Sequence, residues 1–198
     1  MPKAREGTAM TYALIDGPEV EVLSLAEVKA HLRLDDENED LYLTGLIATA
    51  REHLERDLGI CLIDQTWRLY LDDWPKGGVV KIMRFPIQSV ERLVIYDAEG
   101  AAVDVAQGGH SLRRHKSPSE LLLNGAAKAL FTGNGAELDF SAGFGEAATD
   151  VPDGLKRAML LHIAHMFAFR GVATVEEQPL SIPPGYERLI APFRQWGL

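Results

Sequence analysis

His162 and His165 stand three residues apart in a helical run, a spacing that sets two imidazoles on one helix face as metal-binding histidines are set. A zinc centre needs more. No glutamate completes an HExxH pattern around them, and Cys61, the only cysteine, lies a hundred residues away in sequence. Packing or a subunit contact is the better reading of the pair. Asp35, Glu37 and Glu39 alternate as ligands do in a calcium loop, but the obligatory glycine and the distal bidentate glutamate are missing. With Asp36 and Asp40 they read as a solvated acidic run, and Asp72 and Asp73 read likewise. Ser111 between His110 and His115 supplies the residue types of a hydrolase without the strand-to-helix elbow that would expose a nucleophile. Gly133-Asn134-Gly135 and Gly143-Phe144-Gly145 do not continue to a lysine or open a phosphate-cradling loop, so turns are expected there. The residues therefore predict no catalytic site, no metal and no cofactor.

Two surface features remain. Arg113-Arg114-His115-Lys116 is the one concentrated basic segment, placed in a loop between strands, where a solvated loop is the first reading and a contact with acids of a neighbouring copy the second. Trp67, Trp74 and Tyr96 would make an aromatic platform if exposed together, the basis of an alternative reading as a β-sandwich module binding carbohydrate or a host surface.

The elements that must position these residues divide by periodicity. Ser24-Leu25-Ala26-Glu27 has the form of a capping box, in which hydroxyl and carboxylate each take a backbone N–H of the other residue, and predicts a helix from Leu25 to about Leu34. The acids from Asp35 to Asp40 suit the positive end of a second helix. Its stripe is Leu43, Leu46, Ile47, Ala50, Leu54 and Leu58, and Gly59 is its stop. Period two takes over at Thr66 to Leu71, with further strands at Val79 to Met83, Val90 to Tyr96, Ala101 to Val105, Glu120 to Leu123 and Ala136 to Ala142. Helix returns after Val151-Pro152, buried through Leu155, Met159, Ile163, Met166 and Phe167. Val172 to Pro184 reads as a mobile link, followed by a short apolar segment, Gly185 to Trp196. So much apolar surface in a small tail wants either the protein's own core or another subunit.

The fold expected is α+β: an antiparallel helical bundle of two N-terminal helices and one later long helix, with an inserted antiparallel β subdomain and a C-terminal tail. The boundaries are 1–23 for an N-terminal arm, 24–60 and 150–171 for the helical core, 62–145 for the β insertion, and 172–198 for link and tail.

The formal charge is −9, from 20 Lys and Arg against 29 Asp and Glu, and 13 of the acids fall in residues 1–60. Duplex DNA binds basic surfaces that displace its counterions, so this balance argues against tight DNA binding and suits a surface past which DNA slides. No run of about 18 apolar residues offers a membrane span, and no secretory signal pattern opens the chain.

The order of these features resembles the head-tail connector (adaptor) proteins of tailed bacteriophages and gene transfer agents. The phrases that carry the resemblance are Leu25-Ala26-Glu27-Val28-Lys29-Ala30-His31-Leu32-Arg33-Leu34 followed by acids and a long helix, and Phe140-Ser141-Ala142-Gly143-Phe144-Gly145. Val151-Pro152, the helix from Leu155 to Arg170 and the closing Leu189-Ile190-Ala191-Pro192-Phe193-Arg194 complete it. The resemblance implies a virion protein of the head-tail interface, assembled in the bacterial cytoplasm. It would sit on the portal protein as a closed ring of about twelve copies. There it extends the channel for DNA, without sequence-specific binding and away from any membrane, and offers a surface to a neck, stopper or tail-terminator protein. Under that reading Tyr186, Leu189, Ile190, Phe193, Arg194 and Trp196 dock on the portal. Asp35, Asp36, Glu37, Glu39 and Asp40 face the channel, and Arg113, Arg114 and Lys116 touch the next copy.

Overall fold

The computed structural model of the chain describes residues 10–75, 77–116, 118–130, 134–169 and 183–194. Within them, 10–17 and 64–143 make one compact unit, built of strands, and 18–63 with 144–194 make a second, built of helices.

In the helical unit, α1 (Leu25–Leu32) begins on the expected capping box: Ser24 Oγ accepts the Glu27 N–H at 3.2 Å, and the Ser24 N–H donates to the Glu27 carboxylate at 2.8 Å. It ends two residues earlier than its apolar pattern suggests. Arg33 turns left-handed at φ 57, and its N–H closes on the carbonyls of Ala30 and Lys29. The second helix, α2 (Asp40–Leu58), is tied to α1 by Lys29 Nζ to Asp40 Oδ1 at 2.7 Å and stops at Gly59, φ 68. Leu43, Leu46, Ile47, Ala50, Leu54 and Leu58 are all buried, as their spacing predicts. The long helix of the second half runs from Asp153 to Ala168 and is numbered below after a short helix of the β unit. It packs on both N-terminal helices, burying Leu155, Ala158, Met159 and Ile163.

A buried ionic group sits within this unit. Arg51 reaches Glu21 at 3.0 Å and Glu55 at 3.2 Å, while the other Glu55 oxygen accepts the Leu62 N–H at 2.8 Å. Glu55 is only 9% exposed.

The β unit has a five-stranded antiparallel sheet, in the order β1 (Met10–Asp16), β2 (Gln65–Leu71), β8 (Ala136–Ala142), β4 (Ile87–Tyr96), β5 (Ala102–Asp104). A second sheet pairs β3 (Val79–Ile82) with β7 (Ser119–Leu123), and β7 with β6 (His110–Arg113). A short helix, α3 (Gly125–Leu130), follows β7, so the long helix Asp153–Ala168 is α4 and the last one, α5, is Tyr186–Ile190. In the large sheet Leu69, Leu138 and Leu93 form one buried row across three strands, and Leu71, Ala136 and Ile95 the next. The alternate face is ionic: Arg68 grips Asp139 through two hydrogen bonds at 2.6 and 2.7 Å, and Arg92 grips Asp104 at 2.7 and 3.1 Å. Val80, Ile82 and Leu121 bury the inner positions of the second sheet.

Three elements differ from expectation. Met10–Asp16, placed in an N-terminal arm by its sequence, is an edge strand in register with β2, with Tyr12 edge-on to Phe140 at 6.4 Å. Edge strands bury one face partially, so Leu14, Ile15 and Asp16 stay exposed and the alternation is blurred. His110–Arg113, given no strand by its sequence, is one, with Leu112 paired opposite the buried Leu121. Gly125–Leu130, six residues and hence too short to show a helical period, is a helix. The expected link at Val172 to Pro184 falls almost wholly outside the described residues.

Candidate functional site

The C-terminal segment enters at Gly185, which takes φ 91, and winds through α5 into a 3-10 turn at Ala191–Phe193. α5 packs on α4. Tyr186 and Ile190 are completely buried, so the own-core outcome holds for these two. This corrects the expectation that the whole segment presents itself to a partner: an apolar pair four residues apart on a one-turn helix is satisfied by the helices beneath it. Leu189 and Phe193 are half-buried and Arg194 is exposed. The Phe193 ring stands edge-on to Phe144 at 6.5 Å and lies beside Gly154 of α4, where an added Cβ would make ordinary contact with it at 3.6 Å. Arg194 is held internally, 2.6 Å from Glu187 and 3.7 Å from Asp57. Trp196 lies outside the described residues.

Beneath α5 is a polar cluster that sequence reasoning did not assemble. The His53 ring of α2 lies 4.7 Å from that of His162 on α4, and Tyr186 covers both, 5.7 Å from His162 and 6.4 Å from His53. His53 Nδ1, His162 Nδ1 and Tyr186 Oη are buried and have no hydrogen-bond partner among the described residues. Burial, reinforced by the neighbouring His53 and His165, pushes the His162 imidazole down to about 4, so it is neutral at pH 7. Burial likewise raises the Tyr186 phenol, aided by the carboxylates of Asp57 and Glu187. His165 does not join the cluster; it packs on Phe169 at 4.9 Å. Among the described residues no group of three or more His, Cys, Asp or Glu could hold a metal ion.

The acidic run spans the turn between α1 and α2. Asp35, Asp36 and Glu37 are exposed, Asp36 accepts the Asn38 N–H at 3.0 Å, Glu39 is half-buried at the start of α2, and Asp40 is committed to Lys29. The basic residues lie at the turn between β6 and β7: Arg113 pairs with Glu120 at 3.2 Å, while Arg114, His115 and Lys116 are exposed. The run and the turn belong to different units, and each presents one sign of charge.

The aromatic platform is not assembled. Trp74 is buried, and Trp67 carries the Arg84 guanidinium 4.1 Å above its ring. Tyr96 is half-buried and donates to Glu137 at 2.8 Å, at the edge of an open groove of about 300 Å3 that also takes Tyr70 and Asn134. Ser111 is bonded to neither His110 nor His115 among the described residues. The exposed apolar residues went unnoticed in the sequence: Leu41, 88% exposed on the first turn of α2, and Phe169 just past α4. Their signal is that they fall off the buried stripes of their helices.

Comparison with known proteins matches residues 22–114 to the family described as phage gp6-like head-tail connector protein. No curated protein matches the chain. Among solved structures, a chain from the neck of an empty gene transfer agent particle, computed with C6 symmetry, is 25% identical. It superposes with a TM-score of 0.78, covering 95% of this chain and 97% of its own. A chain from the virion of a native gene transfer agent particle gives 26% identity and a TM-score of 0.78 over 94% and 96%. A chain from the neck of a native particle, computed with C12 symmetry, gives 28% and 0.70 over 94% and 97%. Residues 22–114 thus match the phage gp6-like head-tail connector family, nearly the whole chain shares the fold of gene transfer agent neck and virion chains, and together these likenesses indicate a structural connector protein rather than an enzyme.

Proposed function

We propose that the protein forms a closed ring on the portal vertex, continues the DNA channel and joins the filled head to the neck or tail. The observation that carries this reading is the likeness, over 95% of the chain, to a chain from the neck of a gene transfer agent particle. Neck structures computed with C6 and C12 symmetry favour a ring of identical copies, about twelve; assembly in the bacterial cytoplasm is part of the same proposal. A ring with rotational closure needs two different surfaces on each copy. The basic turn of Arg113, Arg114 and Lys116 and an acidic surface of the neighbour supply a suitable pair of opposite charges. The exposed acids Asp35, Asp36 and Glu37, with Glu39 and Asp40 behind them, suit a channel wall that repels phosphate. In this arrangement 24–60 and 150–171 are the helical core of the ring, 62–145 the inserted subdomain, and 172–198 the portal-docking segment.

Docking falls to Leu189, Phe193, Arg194 and Trp196, with Tyr186 and Ile190 forming the anchor that must leave or stay beneath them. Electron microscopy of the purified protein mixed with a cognate portal ring is expected to show a second tier of subunits in register with the portal. The double variant Phe193→Ala/Trp196→Ala is expected to lose that tier, at least a tenfold weakening being the usual cost of removing about two aromatic anchors. Its circular dichroism should match the parent protein. A portal ring left bare by the unaltered protein at physiological salt would overturn the connector assignment; a tier that survives the double variant would overturn the docking residues.

A further inference from the structure

We propose that His53, His162 and Tyr186 form a weak catch that lets α5 and its 3-10 turn leave their seat on α2 and α4 while the rest of the helical unit stays folded. The inference rests on the docking reading for its purpose, since a segment released from its own chain becomes free to fill a portal pocket.

The physical reason lies in what is buried. A short helix such as α5, five residues long, has almost no stability of its own and is held by packing alone. Ile190 supplies ordinary apolar burial. Tyr186, the largest side chain in that contact, takes a hydroxyl into a site where it finds no partner among the described residues, beside two imidazole nitrogens in the same condition. An unpaired buried polar group gives back part of what its ring gains by burial. The element therefore sits at the low end of the unit's stability, as elements that move in assembly do.

The surroundings also give the catch a proton dependence. The titratable groups acting on His162 are His53 from α2 and His165 from α4 itself. Around Tyr186 are Asp57 from α2, Glu187 from α5 and Arg194 from the 3-10 turn, the last pairing with both carboxylates. α1, also packed on α4, brings Glu27, which faces Lys156, together with His31 and Lys29, the latter engaged with Asp40. None of these carboxylates bonds His162 among the described residues. The folded imidazole is pushed down from its ordinary value to about 4, so it is neutral in the seated form while an unfolded or released one begins to charge near pH 6.5. Protons therefore favour release: the catch holds fully above about pH 6.5 and weakens as pH falls toward 4.

Hydrogen exchange read by mass spectrometry on the full chain, without any portal, tests the catch separately from docking. With rates corrected for intrinsic pH dependence, the 183–194 peptides are expected to exchange at least about tenfold faster than the α4 peptides at pH 7, and about tenfold faster again at pH 4. Tyr186→Phe, which removes only the unpaired hydroxyl, should slow exchange of 183–194 several-fold at pH 7. His162→Phe should remove the acid acceleration, and His162→Gln, equally unable to take up a proton, replaces it if the phenyl ring disturbs folding. The proposal requires all three results. Exchange of 183–194 in step with α4, a Tyr186→Phe variant that exchanges as fast as or faster than the parent, or acid acceleration that persists without an ionisable residue at 162 would each overturn it. Portal binding measured on the same variants reports on docking alone.

Discussion

Gly143→Ala is expected to destabilise the protein by about 3 kcal/mol or more, lowering the midpoint of thermal unfolding by roughly 6–12 °C. Gly143 ends β8 with φ +159, and a Cβ there would stand 2.5 Å from both the Cα and the N of Asp64, the residue just before β2. Backbone atoms cannot retreat as a side-chain tip does. The residue is also fixed from both sides, its N–H donating to the Pro86 carbonyl at 2.9 Å and its carbonyl accepting from Gln88 Nε2 at 2.6 Å. Relief of the collision must therefore disturb three segments of the β unit together. Gly145 gives the comparison that isolates this cause. Its Cβ would meet the Asp150 carboxyl, with Cγ at 2.7 Å, a group that can swing away at the loss of its bond to the Ala147 N–H. About 1 kcal/mol is expected for Gly145→Ala. Gly45, inside α2 with nothing within 4 Å of its Cβ position, should gain about 0.5–1 kcal/mol on the same change. Urea unfolding of the three variants should give that order. A Gly143→Ala protein as stable as the parent would show that the close approach to Asp64 is not rigid.

These glycines show what could be read from the sequence and what could not. Phe140-Ser141-Ala142-Gly143-Phe144-Gly145 was recognisable as a phrase, yet the reason for Gly143 lies in Asp64, far away in sequence. Features whose partners are local were legible. The Ser24 and Glu27 cap, the Gly59 stop, the stripe of α2 and the strict alternation of β8 all follow from contacts within a few residues or from one buried face. Features set by distant partners were not. Met10–Asp16 becomes a strand only because β2 offers an edge to it. Glu55, in the charged stretch Arg51-Glu52-His53-Leu54-Glu55-Arg56-Asp57, looks like part of a solvated face and is buried. The candidate site divides in the same way. The acidic and basic surface segments were located by charge alone, and the apolar tail by composition. That Tyr186 and Ile190 point into their own unit, and that His162 meets His53 rather than acting with His165, depends on how three helices pack.

The Glu55 group leads to the second large effect. Its carboxylate contacts both the Arg51 guanidinium at 3.2 Å and the Leu62 N–H at 2.8 Å, and so ties α2 to the chain that leaves it. Arg51 in turn reaches back to Glu21, ahead of α1. Glu55→Ala removes the acceptor from a buried N–H and loosens both ends of the unit, an expected cost of about 2–4 kcal/mol. Glu55→Gln keeps an oxygen of the same reach for Leu62 while giving up the charge, and should cost only about 1 kcal/mol. Arg51→Met leaves the Glu55 carboxylate charged and without its guanidinium, which at 9% exposure should cost the most, about 3–5 kcal/mol. Equilibrium urea unfolding, with the slope unchanged across the series, reads the order directly. The order matters more than any single value: a dominant hydrogen bond to Leu62 would make Ala worse than Met, while a dominant charge makes Met the worst. If all three variants match the parent, the group is solvated in the folded protein and α2 is held by its apolar stripe alone.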